Sequence, residues 1–501
     1  MKDRPEPIKY IYGGIMYLIG VYYNFEYYNI NRNSMEIKQL YTNCLSEAAY
    51  FISSDGEAAV IDPLRDVDAY LEMAKERGVK IKYIFETHFH ADFVSGHIEL
   101  AQKTGAPIIY GPDTEASFKI HMAKDGEEFM VGKLKIKAIH TPGHTLESTC
   151  YLLHDEAGAP YCIFTGDTLF VGDVGRPDLF SGNLSKEELA GMMYETLQHK
   201  IKPLNDNLIV YPAHGPGSAC GKSLGPETFS TIGAQKAGNY AMQDMTKEEF
   251  IKTVTTGLNA PPSYFPVNAR INKEGYESLD DVFGKGLNPL SIAQFKEKAR
   301  EDIWILDTRP ATVFTEGFVP GSISIGLDGR YAEWAGTLIP NTQPLILVTE
   351  VGKEKESITR LARVGIDNVQ GYLDGGFEAW RNAGEEIDLI IDIEPDELAM
   401  DIPHDNLLEI IDVRKPAEFE AAHVKGAMNI PLDTLVDPLN VAIIDDNNNL
   451  YVHCAGGYRS VIAASLLKRH GYHNLRNVLG GFAKMKAEKG IPIVFPDSVK
   501  A

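Results

Sequence analysis

The most informative segment in the first half of the chain is Ile81-Lys-Tyr-Ile-Phe-Glu-Thr-His-Phe-His-Ala-Asp92. Ile81–Glu86 predicts a buried strand, and two histidines and an aspartate follow it at alternate loop positions, where they can converge on a metal. Three further motifs also follow apolar, strand-like runs: Thr141-Pro-Gly-His144-Thr, Thr165-Gly-Asp167-Thr and Tyr211-Pro-Ala-His214-Gly. Because loops at one edge of a sheet gather ligands, the sequence predicts one metal site built from these loops.

Composition narrows the class of protein. The chain has 501 residues, which predicts about three domains. Its net charge of −22 disfavours binding to nucleic acid or to an anionic membrane through broad electrostatics. The five cysteines are odd in number and widely spaced, so they predict free thiols in a reducing cytoplasm rather than a disulfide framework. Cys44, Cys150 and Cys162 lie in strand-like runs and are expected in the core.

Residues 1–34 differ from the rest of the chain. Tyr10–Tyr23 is an apolar and aromatic run of 14 residues, shorter than the roughly 20 that a bilayer-spanning helix needs. We expect a disordered leader or an upstream start codon, with a weak membrane anchor as the alternative. A pattern of strands and helices begins at Met35, with strands over Ala48–Ile52 and Ala58–Ile61 and a helix over Asp66–Arg77.

The first domain is predicted over residues 35–257. The stretch 258–288, which carries prolines and glycines, is predicted to be a linker or docking segment.

The remainder of the chain contains an internal sequence repeat. Ile-Leu-Asp307-Thr-Arg309 recurs as Ile-Ile-Asp412-Val-Arg414, and 412 − 307 = 105. Gly375-Gly-Phe377 recurs as Gly480-Gly-Phe482 at the same spacing. This pattern predicts two parallel α/β domains, the first repeat (residues 289–390) and the second repeat (residues 394–496).

The second repeat carries Cys454-Ala-Gly-Gly-Tyr-Arg459 between a strand and a helix. Backbone N–H groups at a helix start and Arg459 favour a thiolate or persulfide anion at Cys454. Phosphatase loops separate Cys and Arg by five residues, and the four residues here suit sulfur better than phosphate. In the first repeat Thr349 stands in place of Cys454 and Glu354 in place of Arg459, so this repeat is predicted to be catalytically silent.

These motifs resemble two known families. Residues 36–240 resemble the metallo-β-lactamase superfamily, which implies an αββα sandwich, and both repeats resemble rhodanese domains. Within the superfamily, Thr87–Asp92, Thr141–Thr145 and Gly166–Phe170, together with Gly172–Asp178, are most similar to the persulfide dioxygenases. That resemblance implies one Fe(II) per chain held by three residues, His88, His144 and Asp167. It leaves His90, Asp92 and His214 to orient ligands or to serve as alternative ligands.

The number and identity of the metals depend on few positions. Dinuclear hydrolases of the superfamily have a histidine where this chain has Phe93, so a second metal site is weakened and one metal is predicted. His97, one helical turn beyond, is the residue that could compensate. If His90 binds the metal, zinc becomes the alternative to iron.

Three other residues near these motifs have both a structural and a functional interpretation. Arg176 and Asp178 form either a structural ion pair or a recognition site for a carboxylate or phosphate of the thiol carrier. Cys220, in a glycine-rich loop after His214, is either a second sulfur-accepting thiol or a small buried residue.

The chain after Met35 resembles bacterial persulfide dioxygenase–sulfurtransferase fusions. That implies oxidation of a low-molecular-weight thiol persulfide by O₂ to sulfite and thiol. Cys454, assisted by Arg459, would then exchange sulfane sulfur among persulfide, sulfite and thiosulfate, which would detoxify sulfide. A zinc-dependent thioester hydrolase of the glyoxalase II type with appended rhodanese domains is one alternative, and a non-enzymatic sulfur carrier scaffold is another. The thiol carrier (glutathione, coenzyme A or bacillithiol) and a homo-oligomer stay open.

Overall fold

The computed structural model describes residues 35–179 and 184–495. The expectations about residues 1–34 therefore lie outside the described residues. Among the residues that are described, no helix is both long enough and apolar enough to cross a bilayer.

Two six-stranded sheets build the first domain. The first sheet runs in chain order through β1 (Glu36–Thr42), β2 (Glu47–Ser54), β3 (Glu57–Ile61), β4 (Lys80–Phe85), β5 (Ile108–Tyr110) and β6 (His121–Met122). The second sheet contains β7 (Glu128–Val131), β8 (Leu134–His140), β9 (Thr149–His154), β10 (Pro160–Gly166), β11 (Ile209–Pro212) and β12 (Ser230–Thr231).

The alternation of side chains along β2 shows how the two sheets pack. Tyr50 and Ile52 face the core between the sheets, together with Phe164 of the second sheet. Phe51, on the opposite face, packs against Tyr70 of the first helix. A strand buried on both faces needs a continuous apolar run, and Ala48–Ile52 supplies it.

Helices cover the outer faces of both sheets, which gives the predicted αββα layers. They are α1 (Asp68–Arg77), α2 (His97–Thr104), α3 (Lys186–Thr196), α4 (Ile232–Gly238) and α5 (Lys247–Thr255). The helix predicted from Asp66 begins at Asp68, because Val67 occupies the N-cap position. The strand predicted over Ile81–Glu86 is found as β4.

The segment after the first domain contains two helices, α6 (Phe265–Glu274) and α7 (Leu279–Gly286). Pro266 lies in the first turn of α6, where a missing N–H costs nothing. Gly286 lets α7 pack closely on the first repeat, since a Cβ there would lie 2.9 Å from the Ile358 side chain.

Each repeat is a five-stranded parallel sheet with helices around it, and this confirms the predicted α/β class. The first repeat comprises β13 (Pro289–Leu290), α8 (Ile292–Lys298), β14 (Trp304–Asp307), α9 (Ala311–Thr315), β15 (Ile323–Ser324), α10 (Tyr331–Leu338), β16 (Leu345–Val348), α11 (Glu354–Ala362), β17 (Val369–Leu373) and α12 (Gly376–Asn382).

The second repeat has the same strand order plus a short antiparallel pair, β20 with β24. Its elements are β18 (Ile391–Ile393), α13 (Pro395–Asp401), β19 (Leu408–Asp412), α14 (Pro416–Ala421), β20 (His423–Val424), β21 (Met428–Asn429), α15 (Pro438–Val441), β22 (Asn449–His453), α16 (Tyr458–Arg469), β23 (Leu475–Val478), α17 (Gly481–Met485) and β24 (Ile493–Val494).

The Asp-x-Arg motif that revealed the repeat is a buried ion pair in both copies. Arg309 bonds to Asp307 and to the carbonyl of Gly317, and Arg414 bonds to Asp412 and to the carbonyl of Ala422. The motif therefore ties the end of the second strand of each repeat to the loop that follows it.

Candidate metal centre and sulfur loop

The metal-site residues predicted from four separate motifs meet in one buried cluster. His88, His144 and Asp167 each offer a donor atom, and these atoms all lie within 4.8 Å of one another. The Nε2 atom of His88 lies 3.8 Å from Asp167 Oδ2, and the Nε2 atom of His144 lies 3.5 Å from the same oxygen. Each motif begins where a strand ends, which brings all of them to one edge of the sandwich.

Hydrogen bonds at Nδ1 orient the imidazoles of this cluster. His144 Nδ1 lies 2.7 Å from the carbonyl oxygen of Arg176, and His214 Nδ1 lies 3.1 Å from that of Ser46. A carbonyl only accepts, so each Nδ1 donates its proton, and Nε2 is the ring nitrogen left to bind a metal. His88 Nδ1 contacts the hydroxyl of Thr87, which in turn donates to Asp62. In all three rings Nε2 is therefore the atom available to a metal.

The donor set fits a metal ion. Both carboxylate oxygens of Asp167 and the Nε2 atom of His214 are buried without a hydrogen-bond partner among the described residues. Burial and the neighbouring imidazoles lower the pKa of His88 well below its usual value, which favours the neutral form that binds metals. Leaving such atoms unpaired is costly, and a bound cation removes that cost.

His90 turns toward a different set of partners. Its Nε2 lies 3.1 Å from Asp62 Oδ1 and 3.6 Å from Glu86 Oε2. Burial lowers the pKa of His90, but the carboxylates of Asp62 and Glu86 outweigh burial and raise it to about 10. Phe93 is fully buried against the His90 ring, with centroids 4.4 Å apart.

A second group of donors lies beside the first. His90, Asp92 and His214 form one cluster within 4.8 Å, and Asp167, His214 and Cys220 form another. His214 Nε2 lies 3.5 Å from Asp167 Oδ1, the carboxylate oxygen that faces away from His88. Cys220 therefore offers its sulfur beside the candidate metal ligands, and burial and the carboxylates of Asp92 and Asp167 raise the pKa of its thiol. His97 does not join these groups; its Nδ1 lies 3.5 Å from Glu86 Oε1.

Arg176 and Asp178 bond to each other and to the surrounding backbone. The Arg176 guanidinium donates to both Asp178 oxygens, at 3.0 and 2.8 Å, and to the carbonyl of Asn259 at 2.6 Å. In this geometry the pair holds the loop next to His144. Recognition of a substrate carboxylate or phosphate by these two side chains stays a prediction.

The Cys454 loop lies between β22 and α16, as predicted. The N–H of Gly457 donates to Cys454 Sγ at 3.1 Å, which places an amide dipole on the sulfur at the start of the helix. The Ser460 hydroxyl lies 3.6 Å from the same sulfur. Arg459 points along the rim of the loop and forms two hydrogen bonds, 2.7 and 2.9 Å long, with the carboxylate of Glu418.

The matching loop of the first repeat has its amide occupied by an internal carboxylate. Gly352 corresponds to Gly457 by the 105-residue spacing, and its N–H donates to Glu354 Oε1 at 3.0 Å. Thr349, which corresponds to Cys454, is buried and its hydroxyl has no partner among the described residues. This loop thus lacks the thiol, and the carboxylate of Glu354 accepts the hydrogen bond that the Gly352 amide would otherwise donate to a sulfur.

Sequence reasoning missed several residues of the site. Asp62 and Glu86 each follow the last residue of a parallel strand, and that position was a usable signal. Asn272, which bonds to the backbone around His90, carries no such signal because it lies in α6, far along the chain.

Comparison with known proteins agrees with this architecture. The family model of the metallo-beta-lactamase superfamily matches residues 42–214, and the model of the rhodanese-like domain matches residues 291–383 and 394–488. A crystal structure of a metallo-beta-lactamase from Staphylococcus aureus is 33% identical, covers 68% of this chain and 99% of its own, and has a TM-score of 0.62. The structure of ETHE1 from Myxococcus xanthus is 29% identical over 48% of this chain and 100% of its own, with a TM-score of 0.41.

Curated relatives match about a third of the chain. The hydroxyacylglutathione hydrolase of Citrobacter koseri is 36% identical over 163 residues, which are 32% of this chain and 59% of that protein. The chain spans about three fifths of the length of the first curated relatives that it matches. The shared fold, the clustered metal donors and the matched families lead to one conclusion: the chain belongs to the metallo-beta-lactamase superfamily and carries two rhodanese-like domains behind its metallo-beta-lactamase domain.

Proposed function

We propose that this protein is a persulfide dioxygenase coupled to a sulfurtransferase, with one Fe(II) bound by His88, His144 and Asp167. The observation that carries the proposal is a buried set of two imidazole nitrogens and one carboxylate. Buried Phe93 lies next to His90, at the position where the dinuclear hydrolases of the superfamily have a histidine. Two His and one carboxylate on one face are typical of non-haem iron oxygenases. Fe(II) in this set would supply redox chemistry for O₂ and open coordination positions for a substrate sulfur.

The proposed oxidation balances as RSSH + O₂ + H₂O → RSH + SO₃²⁻ + 2H⁺. The terminal sulfur loses four electrons, and O₂ accepts them. In this scheme Thr87 and the carbonyl of Arg176 hold the imidazoles of His88 and His144 in the binding tautomer, and the carbonyl of Ser46 orients His214 beside them. The burial of His88 and Asp167, 1% and 2% exposed, excludes bulk water from the reacting sulfur.

The second repeat would move the sulfane sulfur. The Cys454 thiolate attacks the outer sulfur of a persulfide, and the carrier thiolate leaves. Sulfite then takes the outer sulfur from the Cys454 persulfide, which forms thiosulfate and restores the thiolate. The Gly457 amide would stabilise the anionic sulfur in both steps, and Arg459 would contribute its positive charge from the rim.

The test combines metal analysis with O₂ uptake on a thiol persulfide. Protein purified anaerobically should contain about one iron per chain and should consume O₂ with release of sulfite. Two zinc ions per chain, with no O₂ uptake, would refute the proposal.

One observation favours a second candidate, a dinuclear thioester hydrolase. Asp167 Oδ1 faces His214 while Oδ2 faces His88 and His144, which is the arrangement of a carboxylate that bridges two metals. The curated relatives named hydroxyacylglutathione hydrolase point the same way. Hydrolysis of S-lactoylglutathione by the zinc-loaded protein, at a rate well above its O₂ uptake on persulfide, would favour this candidate.

A further inference from the structure

The metal loop, defined here as residues 87–96 between β4 and α2, carries His88, His90 and Asp92. Its backbone is irregular, so its polar groups need partners outside a sheet or helix. Its first half finds them within the first domain. Thr87 N–H donates to Asp62 Oδ1 at 2.7 Å, and Phe89 N–H donates to Glu147 Oε1 at 3.0 Å.

At the end of the second half of the metal loop, Ser95 and Gly96 donate to the carbonyl of Pro63 in the first domain, and further partners of this half lie outside that domain. Asn272 of α6 donates from Nδ2 to the carbonyls of His90 and Phe93, both at 2.8 Å. Its Oδ1 accepts from the N–H of Ser95 at 2.9 Å. One fully buried amide thus pairs three backbone groups of the loop.

The first repeat adds a fourth anchor. Val94 N–H donates to the carbonyl of Arg363, at the end of α11, at 2.7 Å. Reciprocal ion pairs hold that contact in place: Arg363 bonds to Asp66 at 2.8 and 2.7 Å, and Arg65 bonds to Asp367 at 2.6 and 2.8 Å. The Arg65 side chain is completely buried, so this junction is fixed by charge as well as by packing.

We propose that Asn272 is a positioning residue of the metal centre, and that α6 and the silent first repeat complete the metal loop. This inference rests on metal binding by the loop, as in the proposed function, but not on which reaction the metal supports. His90 and Asp92 belong to the segment that Asn272 clamps, and His88 lies two residues before it. Without these bonds the ligand loop would sample other conformations. Metal binding would then have to order the loop, and the free energy spent on that would weaken the affinity for the metal.

The test compares two asparagines of the same helix. Asn268 is as buried as Asn272, but its amide has no hydrogen-bond partner among the described residues, which makes Asn268→Ala a matched control. Full-length wild type, Asn272→Ala and Asn268→Ala are titrated anaerobically with Fe(II), and separately with Co(II) as a spectroscopic probe. A chelator competition gives the affinity, and the visible Co(II) bands report ligand geometry.

We expect Asn272→Ala to weaken metal binding about 10–100-fold and to alter the Co(II) bands, while Asn268→Ala keeps wild-type values. The melting temperature of the metal-free proteins separates this effect from a general loss of stability. If Asn272→Ala does not fold, Asn272→Asp retains the shape and the acceptor for Ser95 but loses both donated bonds, and the same loss of affinity is expected. Equal affinities in all folded variants would overturn the inference alone, whereas a wild type that binds neither metal would overturn the proposed function as well.

Discussion

The loop of the first repeat that corresponds to the Cys454 loop is predicted to be catalytically silent, and its structure allows a quantitative test of that prediction. A cysteine introduced by Thr349→Cys should be an ordinary thiol, because the Gly352 N–H already donates to Glu354 Oε1. In the second repeat the equivalent Gly457 N–H donates to Cys454 Sγ. Adding Glu354→Ala to Thr349→Cys should release the amide and lower the pKa of the new thiol.

The expected size follows from that one hydrogen bond. A hydrogen bond to a charged group stabilises that group by about 1.5–3 kcal/mol. The loop is partly solvated, with Val351 76% exposed, so the lower end applies. At about 1.36 kcal/mol per pKa unit, release of the amide should lower the thiol pKa by about 1 unit. Glu354→Arg in place of Glu354→Ala should lower it further, since it places a positive charge at the position that matches Arg459.

The assay is the pH dependence of alkylation at position 349, read by peptide mass spectrometry in a Cys454→Ser background. Glu356→Ala is the matched control, because Glu356 lies on the same helix but bonds to Lys353 and Arg360 rather than to Gly352. If the thiol at position 349 has the same pKa with and without Glu354, the carboxylate does not occupy the Gly352 amide in solution. The idea that Glu354 blocks sulfur chemistry in the first repeat is then wrong.

Other outcomes test the remaining parts of the site. Removal of the metal with a chelator, or His88→Ala, should abolish O₂ uptake and leave thiosulfate sulfurtransferase activity within about twofold of wild type, because the two centres lie in separate domains. Cys454→Ser should still consume O₂, but sulfite should accumulate and thiosulfate should fall at least tenfold; wild-type thiosulfate formation would shift the transfer role to Cys220. Phe93→His should raise the bound metal from about one to about two ions per chain, as elemental analysis can show.

The parts of the site that could be predicted from sequence are those with a local signal. His88, His144, Asp167 and His214 each stand just after a strand-like run, and strand ends of one sheet edge converge by geometry alone. The 105-residue spacing likewise placed Cys454 and its silent counterpart without any knowledge of packing.

The features that escaped prediction depend on contacts between distant parts of the chain. The prolines and glycines of residues 258–288 predict a linker, yet Pro266 lies in the first turn of α6, where no N–H is needed from it. Nothing near Asn272 in sequence indicates that its amide lies against the metal loop some 180 residues earlier. The orientation of His90 toward Asp62 could not be predicted either. The spacing of His88 and His90 in the sequence places both on a loop but does not determine where the His90 ring points.

The contacts of the first repeat show how a domain without a cysteine at position 349 can still contribute to the metal loop and to the Cys454 loop. Its Arg363 carbonyl holds the metal loop, and its Gly326 carbonyl accepts a 2.8 Å hydrogen bond from Tyr458, which begins the helix behind Cys454. Gly329 allows that approach, since a Cβ there would lie 2.3 Å from the Tyr458 ring. These bonds come from backbone carbonyls and a missing side chain, so none of them depends on a thiol at position 349. A repeat with threonine in place of the cysteine can therefore still contact both the metal loop and the helix behind Cys454.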